Sequence, residues 1–231
     1  MKKLLPPGQY EALEFPRFGL ARFAGRFPKQ VHRIELEILG DIEEPATVSA
    51  ELETLARVEQ VSDFHCVTTW SCRSLRWSGY RFSDFFDRIV VPRTRPARDA
   101  QLVVLRCQDG YRASLPLEDL LSGDVLLADR LNSLPLTIEH GAPIRLIAPA
   151  HYGYKNVKHL SRVEFHMDDR TYRPAAYRFM DHPRARVAFE ERGRGFPGPV
   201  LRYLYRPFVR PTISRFRQAM LEESSRGVHK E

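Results

Sequence analysis

The stretch Asp63-Phe-His-Cys-Val-Thr-Thr-Trp-Ser-Cys72 contains two of the three cysteines in this chain of 231 residues. It lies at the end of RVEQVSDFHCVT, residues 57–68, a segment whose Val, Phe and Thr residues predict a β-strand. Cys66 is therefore expected where a strand gives way to a turn. A free cysteine is most often a small buried apolar residue, so any chemical role for Cys66 has to be weighed against that ordinary one.

Three chemical roles for Cys66 can be compared from spacing alone. Zinc needs three or four ligands, but Cys66 and Cys72 are too far apart for a paired-ligand motif and Cys107 stands alone. A Cys/His hydrolase is disfavoured because His65, as the adjacent strand residue, should point to the opposite face. Ligation of a softer metal through a single thiolate remains open.

Length and composition indicate one or at most two globular domains. The chain is 43% hydrophobic and 11% aromatic, which is enough for a substantial core. An odd cysteine count argues against a disulfide framework and fits a reducing compartment. The start, MKKLLPPGQY, predicts neither a secretory signal nor a membrane span, and there is no twin-arginine pair near it. These features predict a cytoplasmic protein.

The pattern of elements predicts an α+β fold dominated by mixed or antiparallel sheet, with short helices. Residues 1–30 are rich in Pro and Gly and predict an irregular arm. A helix is expected near 49–60 and a short one after Ser83, while Asp109-Gly110 is expected to turn a hairpin. Further strands are expected in VHRIELEIL, QLVVLRC, YRASLPL, DVLLADRL, PIRLIAP and HLSRVEFHM.

Five stretches in order resemble the molybdopterin-binding domain of the sulfite oxidase family. They are PPGQYEALEFPRFG, FHCVTTWSCRSLRWSGY, DGYRASLPLEDLL, DVLLADRLNSLPLTIEHGAPIRLIAP and YGYKNVKHLSRVEF, which together span roughly residues 5 to 168. The likeness is strongest to the short stand-alone bacterial branch and to the related methionine sulfoxide reductase catalytic subunit. It implies a sulfite-oxidase-like molybdopterin-binding fold and a molybdenum-molybdopterin cofactor, with Cys66 as the metal's thiolate ligand.

The resemblance also implies which residues hold the cofactor. Its phosphate would lie against His140, Arg145 and the segment Asn156-Val157-Lys158, residue types that suit an anion. Its pterin would be wrapped by the arm, and the remaining candidates are Arg17, Phe18, Gly19 and Asp109. Each residue also has an ordinary alternative: Arg145 as a surface-strand arginine, and Asp109 as a turn aspartate that binds its own backbone.

The substrate side is expected near Tyr152 and Tyr154, with His151 as a further candidate, although a Tyr-Gly-Tyr loop is equally typical of packing. Sulfite oxidases follow the cysteine with an Ala-Gly-Asn-Arg-Arg run whose arginines help to bind sulfite. Here Val67-Thr68-Thr69-Trp70-Ser71 stands in its place. The resemblance thus argues against sulfite and favours the reductase branch.

The C-terminal residues 182–231 form a basic, aromatic tail that departs from the family. They hold 11 Lys and Arg against 5 Asp and Glu, while residues 1–181 are almost charge-balanced at 25 against 24. Pro207 and Pro211 should interrupt any helix and favour a partly extended segment. We predict a domain over 1–181 and a separable tail that binds a partner or packs on the domain, with a cofactor site complete without residues after about Arg192.

The sequence therefore predicts a molybdenum-cofactor oxidoreductase that moves an oxygen atom and two electrons on a small-molecule substrate. A separate electron-transfer protein is the expected partner. Two alternatives remain: a catalytically silent binding module of the same fold, and a protein that uses its basic tail to bind nucleic acid or a membrane surface. Of these tail ligands, nucleic acid is disfavoured and a membrane surface stays open.

Overall fold

Two mixed β-sheets form the body of the protein in a computed structural model that describes residues 4–228, with only the backbone described for 226–228. The first sheet runs β1-β5-β8-β10, with β4 also paired to β5 and β9 to β8; the second runs β3-β2-β11-β6-β7. Most neighbours are antiparallel, but β1 pairs with β5 and β2 with β11 in parallel. The predicted α+β class with mixed sheet is confirmed.

The strands are β1 Tyr10–Glu11, β2 Leu36–Gly40, β3 Ala46–Val48, β4 Arg57–His65, β5 Trp70–Arg81, β6 Leu102–Cys107, β7 Arg112–Pro116, β8 Leu126–Leu131, β9 Leu134–Pro135, β10 Arg145–Ile147 and β11 Leu160–His166. The α-helices are α1 Phe82–Phe85, α2 Val91–Thr94, α3 Leu117–Leu120, α4 Gly198–Tyr205 and α5 Val209–Val228. A π-helical segment, Phe86–Val90, joins α1 to α2, and 3₁₀ turns occupy Ala21–Phe23, Ala50–Thr54, Arg178–Met180 and Arg206–Phe208.

The main core lies between the two sheets. Inward-facing residues of both contribute to it, among them Ile38 of β2, Leu105 of β6, Leu127 of β8 and Val163 of β11. A second apolar cluster is built on the other face of the first sheet, around Trp70, Trp77 and Cys72, and is completed by Val209 of α5. This second cluster brings the arm and the tail to the sheet that carries Cys66.

Several local predictions are confirmed. The segment from Arg57 is a strand that ends one residue before Cys66, because β4 pairs antiparallel with β5 along nearly its whole length. The turn at Asp109-Gly110 joins β6 and β7 as a hairpin, with Gly110 at φ 84°. Within residues 4–30 the arm is largely irregular apart from β1 and one 3₁₀ turn.

The helix predicted near 49–60 is wrong. Only the 3₁₀ turn Ala50–Thr54 forms there, and β4 has begun by Arg57. The Ser49 side chain makes no cap, and its backbone N–H instead bonds the Glu51 carboxylate at 2.9 Å. Pairing with β5 therefore outweighed the local helical spacing, as tertiary context often does.

The prediction of a partly extended tail is also wrong. Residues 198–228 form α4, one 3₁₀ turn and α5, almost without interruption. Pro207 lies in the 3₁₀ turn and Pro211 in the first turn of α5, positions that need no intrahelical N–H donor. The prolines divide the helix into two pieces but do not extend the chain. No helix within residues 4–228 is long and apolar enough to cross a bilayer.

Candidate functional site

Cys66 lies in a tight turn between β4 and β5. Its N–H donates to the Trp70 carbonyl at 2.8 Å, and its own carbonyl accepts from Thr69 at 3.1 Å. Thr69 has φ 90°, an uncommon value that the turn requires. The Gln9 side-chain amide of the arm also donates to the Cys66 carbonyl, at 3.1 Å. The cysteine is consequently held by β4, β5 and the arm together.

The Cys66 thiol is almost fully buried, and this determines its protonation. Burial raises the pKa of Cys66 to about 11, while the Thr68 hydroxyl, 3.1 Å from Sγ, and the charges of Arg192 and Lys158 partly oppose the rise. The Nδ1 atom of His65 lies 2.7 Å from the Ser71 hydroxyl. A neighbouring metal cation would be needed to make Cys66 a thiolate.

A cavity of about 160 Å³ opens beside Cys66. Its wall brings together parts of the chain that lie far apart in sequence: the arm, the Cys66 turn, the turn at Asp109, the segment after Tyr152 and the tail. The predicted site residues on that wall are Arg17, Phe18, Gly19, Cys66, Asp109, Tyr154, Asn156, Val157 and Lys158. Most of the predicted constellation therefore shares one space.

Two cations, Lys158 and Arg17, give the cavity a positive character. Lys158 Nζ donates to the Glu139 carbonyl at 2.8 Å, and burial, with Arg145 and Arg17 adding to it, lowers the pKa of Lys158 to about 7. Arg17 donates to the Ala24 and Arg26 carbonyls at 2.8 Å each, and burial lowers its pKa too. Burial is the main cause of both shifts, and the neighbouring Asp109 and Glu139 carboxylates partly oppose it, so an anion bound in the cavity would further favour the charged form of each group.

Arg145 and His140 do not lie on the cavity wall. Arg145 is completely buried below it; its guanidinium donates to the His140 carbonyl at 2.8 Å and the Asn156 carbonyl at 3.1 Å, and packs 5.1 Å from the centre of the Trp77 ring. The alternative of Arg145 as a surface-strand arginine is wrong. His140 stacks on Phe15 at 5.0 Å, and burial lowers its pKa to about 4. Both residues brace the wall, and their binding to phosphate stays a prediction.

Asn156 is buried and its carboxamide holds the surrounding backbone in place. Its carboxamide accepts from the Ala148 N–H at 2.7 Å and donates to the carbonyls of Ala148, His151 and Tyr152. Asp109, for its part, accepts from the Tyr111 N–H at 2.9 Å, the turn role that its sequence suggested, while also facing the cavity. Both side chains thus shape the wall through the backbone.

The Tyr-Gly-Tyr loop is divided between wall and core. Tyr154 faces the cavity, and its hydroxyl accepts from the His182 N–H at 3.0 Å. Tyr152 is fully buried, packs with Ala185 and Val187, and lies under the Arg192 guanidinium at 5.0 Å. His151 Nδ1 lies 2.5 Å from the Arg184 carbonyl. Of the three substrate-side candidates, the structure brings only Tyr154 to the cavity.

The tail supplies wall residues that sequence reasoning missed. Tyr205 and Phe216 line the cavity, and the Phe216 ring lies 5.0 Å from the Arg17 guanidinium. Arg192 is completely buried and donates to the Val67 carbonyl at 2.5 Å and the Pro7 carbonyl at 3.1 Å. Tail residues therefore form part of the cavity wall, which argues against the expectation of a cofactor site complete without residues after about Arg192. The spacing of Leu201, Tyr205 and Val209, all buried, was the signal that could have revealed the inward helical face.

The residues present fit a pterin-bound metal better than a metal held by protein alone. Among residues 4–228, no group of three or more His, Cys, Asp or Glu side chains is arranged to hold a metal ion. One soft sulfur, Cys66, faces a cavity that carries two cations and the Asn156-Val157-Lys158 segment on its wall. A cofactor that brings its own sulfur ligands and a phosphate would use both features.

Comparison with known proteins gives a consistent result. The family model described as the oxidoreductase molybdopterin binding domain matches residues 24–173. An uncharacterized oxidoreductase, YuiH of Bacillus subtilis, is 32% identical over 164 residues, covering 70% of this chain and 78% of YuiH. The protein-methionine-sulfoxide reductase catalytic subunit MsrP of Campylobacter jejuni is 28% identical over 200 residues, covering 73% of this chain but 65% of that relative.

A solved structure supports the fold alone. The sulfane dehydrogenase SoxCD of Paracoccus pantotrophus superposes with a TM-score of 0.50 at 20% identity, over 58% of this chain and 38% of that one. The family match ends at residue 173, so Arg192, Tyr205 and Phe216 lie outside it.

Proposed function

This chain belongs to the oxidoreductase molybdopterin-binding domain family, and from that premise we propose that it is a molybdenum-cofactor enzyme which transfers an oxygen atom and two electrons on a small substrate. One observation supports the proposal most directly. The Cys66 thiol lies on the same cavity wall as Arg17, Asn156 and Lys158. A soft ligand and an anion-binding surface are thereby available to one bound molecule.

Cys66 would be the protein's ligand to the molybdenum. Because burial keeps the thiol protonated near neutral pH, its proton has to leave when the metal binds, and the metal's charge favours that loss. The Thr68 hydroxyl, 3.1 Å from Sγ, can then donate a hydrogen bond to the thiolate. The bound cofactor supplies the oxygen-transfer and two-electron chemistry.

The remaining wall residues would hold the cofactor and exclude water. Lys158 and Arg17 would provide positive charge for the phosphate of the cofactor, and the segment Asn156-Val157-Lys158 would lie against the same phosphate. Phe18 and Trp70, whose rings meet edge to face at 5.5 Å, form an apolar wall together with Phe64. Removing water from such a site strengthens its electrostatic interactions.

For the substrate we propose a thioether sulfoxide, such as methionine sulfoxide, reduced to the thioether. One sulfoxide, two electrons and two protons give one thioether and one water, so the sulfur is reduced and an outside carrier is oxidised. Residues 67–71 of the Cys66 turn carry no cation for sulfite, and the apolar wall suits a thioether side chain. Two named relatives reduce protein methionine sulfoxide, though this chain spans only 65% and 57% of their lengths. A separate electron-transfer protein is the proposed carrier.

The test is to produce the full chain in cells that make molybdopterin and to measure molybdenum, pterin and sulfoxide reduction with a reduced viologen dye. Cys66→Ser should fold but lose more than about 100-fold of its turnover, since losing even an outer-shell partner of a metal costs up to that much. Cys72→Ser is the matched control, because Cys72 is also buried nearby but bonds the Glu14 carbonyl. Metal-free wild-type protein, or full turnover by Cys66→Ser, would contradict the proposal.

A further inference from the structure

The outward side of the tail presents a row of exposed apolar side chains, here called the tail face: Val200, Tyr203, Leu204 and Phe208. The first three follow the i, i+3, i+4 spacing of one helical side, and Phe208 continues it into the 3₁₀ turn. Tyr203 is 68% exposed and Phe208 64% exposed. Meanwhile Leu201, Tyr205 and Val209 of the same segment are buried. The tail is thus apolar on both sides, although only one side packs on the protein.

Further aromatic side chains extend this surface just before α4. Phe179 meets Phe196 edge to face at 6.0 Å and stacks on Tyr177 at 6.0 Å, and all three are exposed. Solitary exposed apolar residues are ordinary, but a contiguous group marks an interaction site. The tail face is such a group, and the three aromatic side chains add a second exposed cluster from the segments that precede α4.

The tail carries an excess of positive charge: Arg202 pairs with Glu190 and Arg217 with Glu14, but Arg194, Arg206 and Arg210 form no ion pair among the described residues. Between Glu191 and Glu222 the chain contains seven arginines and no acidic residue. Arg194, Arg206 and Arg210 are exposed beside the apolar side chains. Arginine stems can lie along an apolar surface while their guanidinium groups stay among polar groups. This is the composition of a helix that lies in a membrane interface.

We propose that the tail face docks the protein on the surface of an anionic phospholipid bilayer. Exposed Tyr, Leu and Phe side chains would enter the boundary between headgroups and acyl chains, and the flanking arginines would contact the phosphates. The segment 192–221 contains no acidic residue, and the exposed Arg194, Arg206 and Arg210 form no ion pair among the described residues, so the charge of this surface complements anionic headgroups. Docking would also bring the cavity close to the bilayer, because Tyr205 and Phe216 on the inner side of the same segment line it.

The inference is independent of the cofactor, so it can be tested with the full chain by vesicle co-sedimentation. Vesicles of phosphatidylcholine alone should leave the protein in solution, whereas vesicles that also contain phosphatidylglycerol should sediment it. Added salt should weaken that binding, because screening shortens the reach of the arginines. Arg206→Gln with Arg210→Gln should lower affinity by about fivefold per arginine, the equivalent of about 1 kcal/mol each.

The apolar contribution is tested separately. Leu204→Glu with Phe208→Glu should weaken binding by about tenfold or more, since each side chain would lose its burial in the interface. Val61→Glu is the matched control: Val61 is exposed on β4, away from the tail, and its change should leave binding intact. Circular dichroism should show all variants folded, because every changed side chain is exposed.

Three results would overturn the proposal. Failure of phosphatidylglycerol vesicles to sediment the protein would assign the tail face to a protein partner. Equal binding by the Leu204/Phe208 and Val61 variants would show that the tail binds vesicles by charge alone, with no apolar side chain entering the bilayer. Sedimentation with phosphatidylcholine as strong as with phosphatidylglycerol would remove the role of the arginines.

Discussion

The guanidinium of Arg192 donates a 2.5 Å hydrogen bond to the carbonyl of Val67, the residue directly after Cys66. The two are 125 positions apart, and Arg192 is completely buried between the Cys66 turn, the arm and Glu190. The tail therefore supports the turn that carries the proposed metal ligand and helps to close the cavity beside it.

Replacing Arg192 with Met should destabilise the protein and loosen the Cys66 turn. Removing one partner of a buried pair costs about 3 kcal/mol, here because the Val67 and Pro7 carbonyl groups lose their donor and Glu190 keeps only Arg202 as a cationic partner. For a chain of this size the melting temperature should fall by roughly 6–12 °C. Arg194→Met, at an exposed position in the same segment, is the control. A melting temperature and molybdenum content equal to wild type would show that the contact does not support the site.

Replacing Tyr205 with Phe should have different effects on the cofactor-free protein and on the loaded enzyme. The buried Tyr205 hydroxyl has no hydrogen-bond partner among the described residues although the side chain lines the cavity. In cofactor-free protein Tyr205→Phe should leave stability unchanged or raise it by about 1 kcal/mol, because an unpaired polar group is removed. In loaded enzyme turnover should fall by up to about tenfold if the hydroxyl bonds the cofactor or substrate. Tyr203→Phe, on the outer side, should change neither quantity; turnover equal to wild type in Tyr205→Phe would leave the ring as packing only.

The contribution of Lys158 to cofactor retention should fall as pH rises above 7. Burial, with the charges of Arg145 and Arg17, lowers the pKa of Lys158 to about 7, so Lys158 is neutral above that pH in the empty site. A bound phosphate favours the charged form, so Lys158 takes up a proton on binding and its contribution to affinity drops by up to about tenfold per pH unit. The proton that Cys66 releases to the metal acts in the opposite sense, equally in wild type and in Lys158 variants. Below pH 7 Lys158 is already charged and contributes no slope. Burial lowers the pKa of His140 and His159 to about 4, so neither titrates in this range.

The measurement is pterin content after dialysis at pH 7, 8 and 9. Lys158→Met should hold less cofactor than wild type at pH 7, and this difference should shrink towards pH 9, whereas Lys29→Met, at an exposed arm position, should behave as wild type. An equal difference between Lys158→Met and wild type at all three pH values would place the titrating group elsewhere.

A truncation after Glu191 should empty the cofactor site. It removes Arg192 from the Cys66 turn and Tyr205 and Phe216 from the cavity wall, and it exposes the apolar cluster that Val209 completes. Pterin content and dye-linked turnover of the truncated and full-length chains decide the matter. Full pterin content in a folded truncated protein would restore the division at residues 181 and 182 as a boundary between site and tail.

The sequence by itself determined the family, the mixed α+β class and the place of Cys66 at the end of a strand. These are consequences of local order: β-branched and aromatic residues in β4, the Asp109-Gly110 turn, and motifs short enough to be recognised along the chain. Tertiary structure alone decided which residues share the cavity. Arg145 lies below the wall because its guanidinium donates to two buried carbonyl groups. Tyr152 lies in the core, whereas Tyr154 faces the cavity. The tail is helical although the local propensity of its prolines predicts an extended segment. Burial of Leu201, Tyr205 and Val209 stabilises the helix, and Val209 packs in the apolar cluster on the first sheet. Such long-range burial leaves only a weak periodic trace in sequence, and the contact from Arg192 to Val67 leaves none.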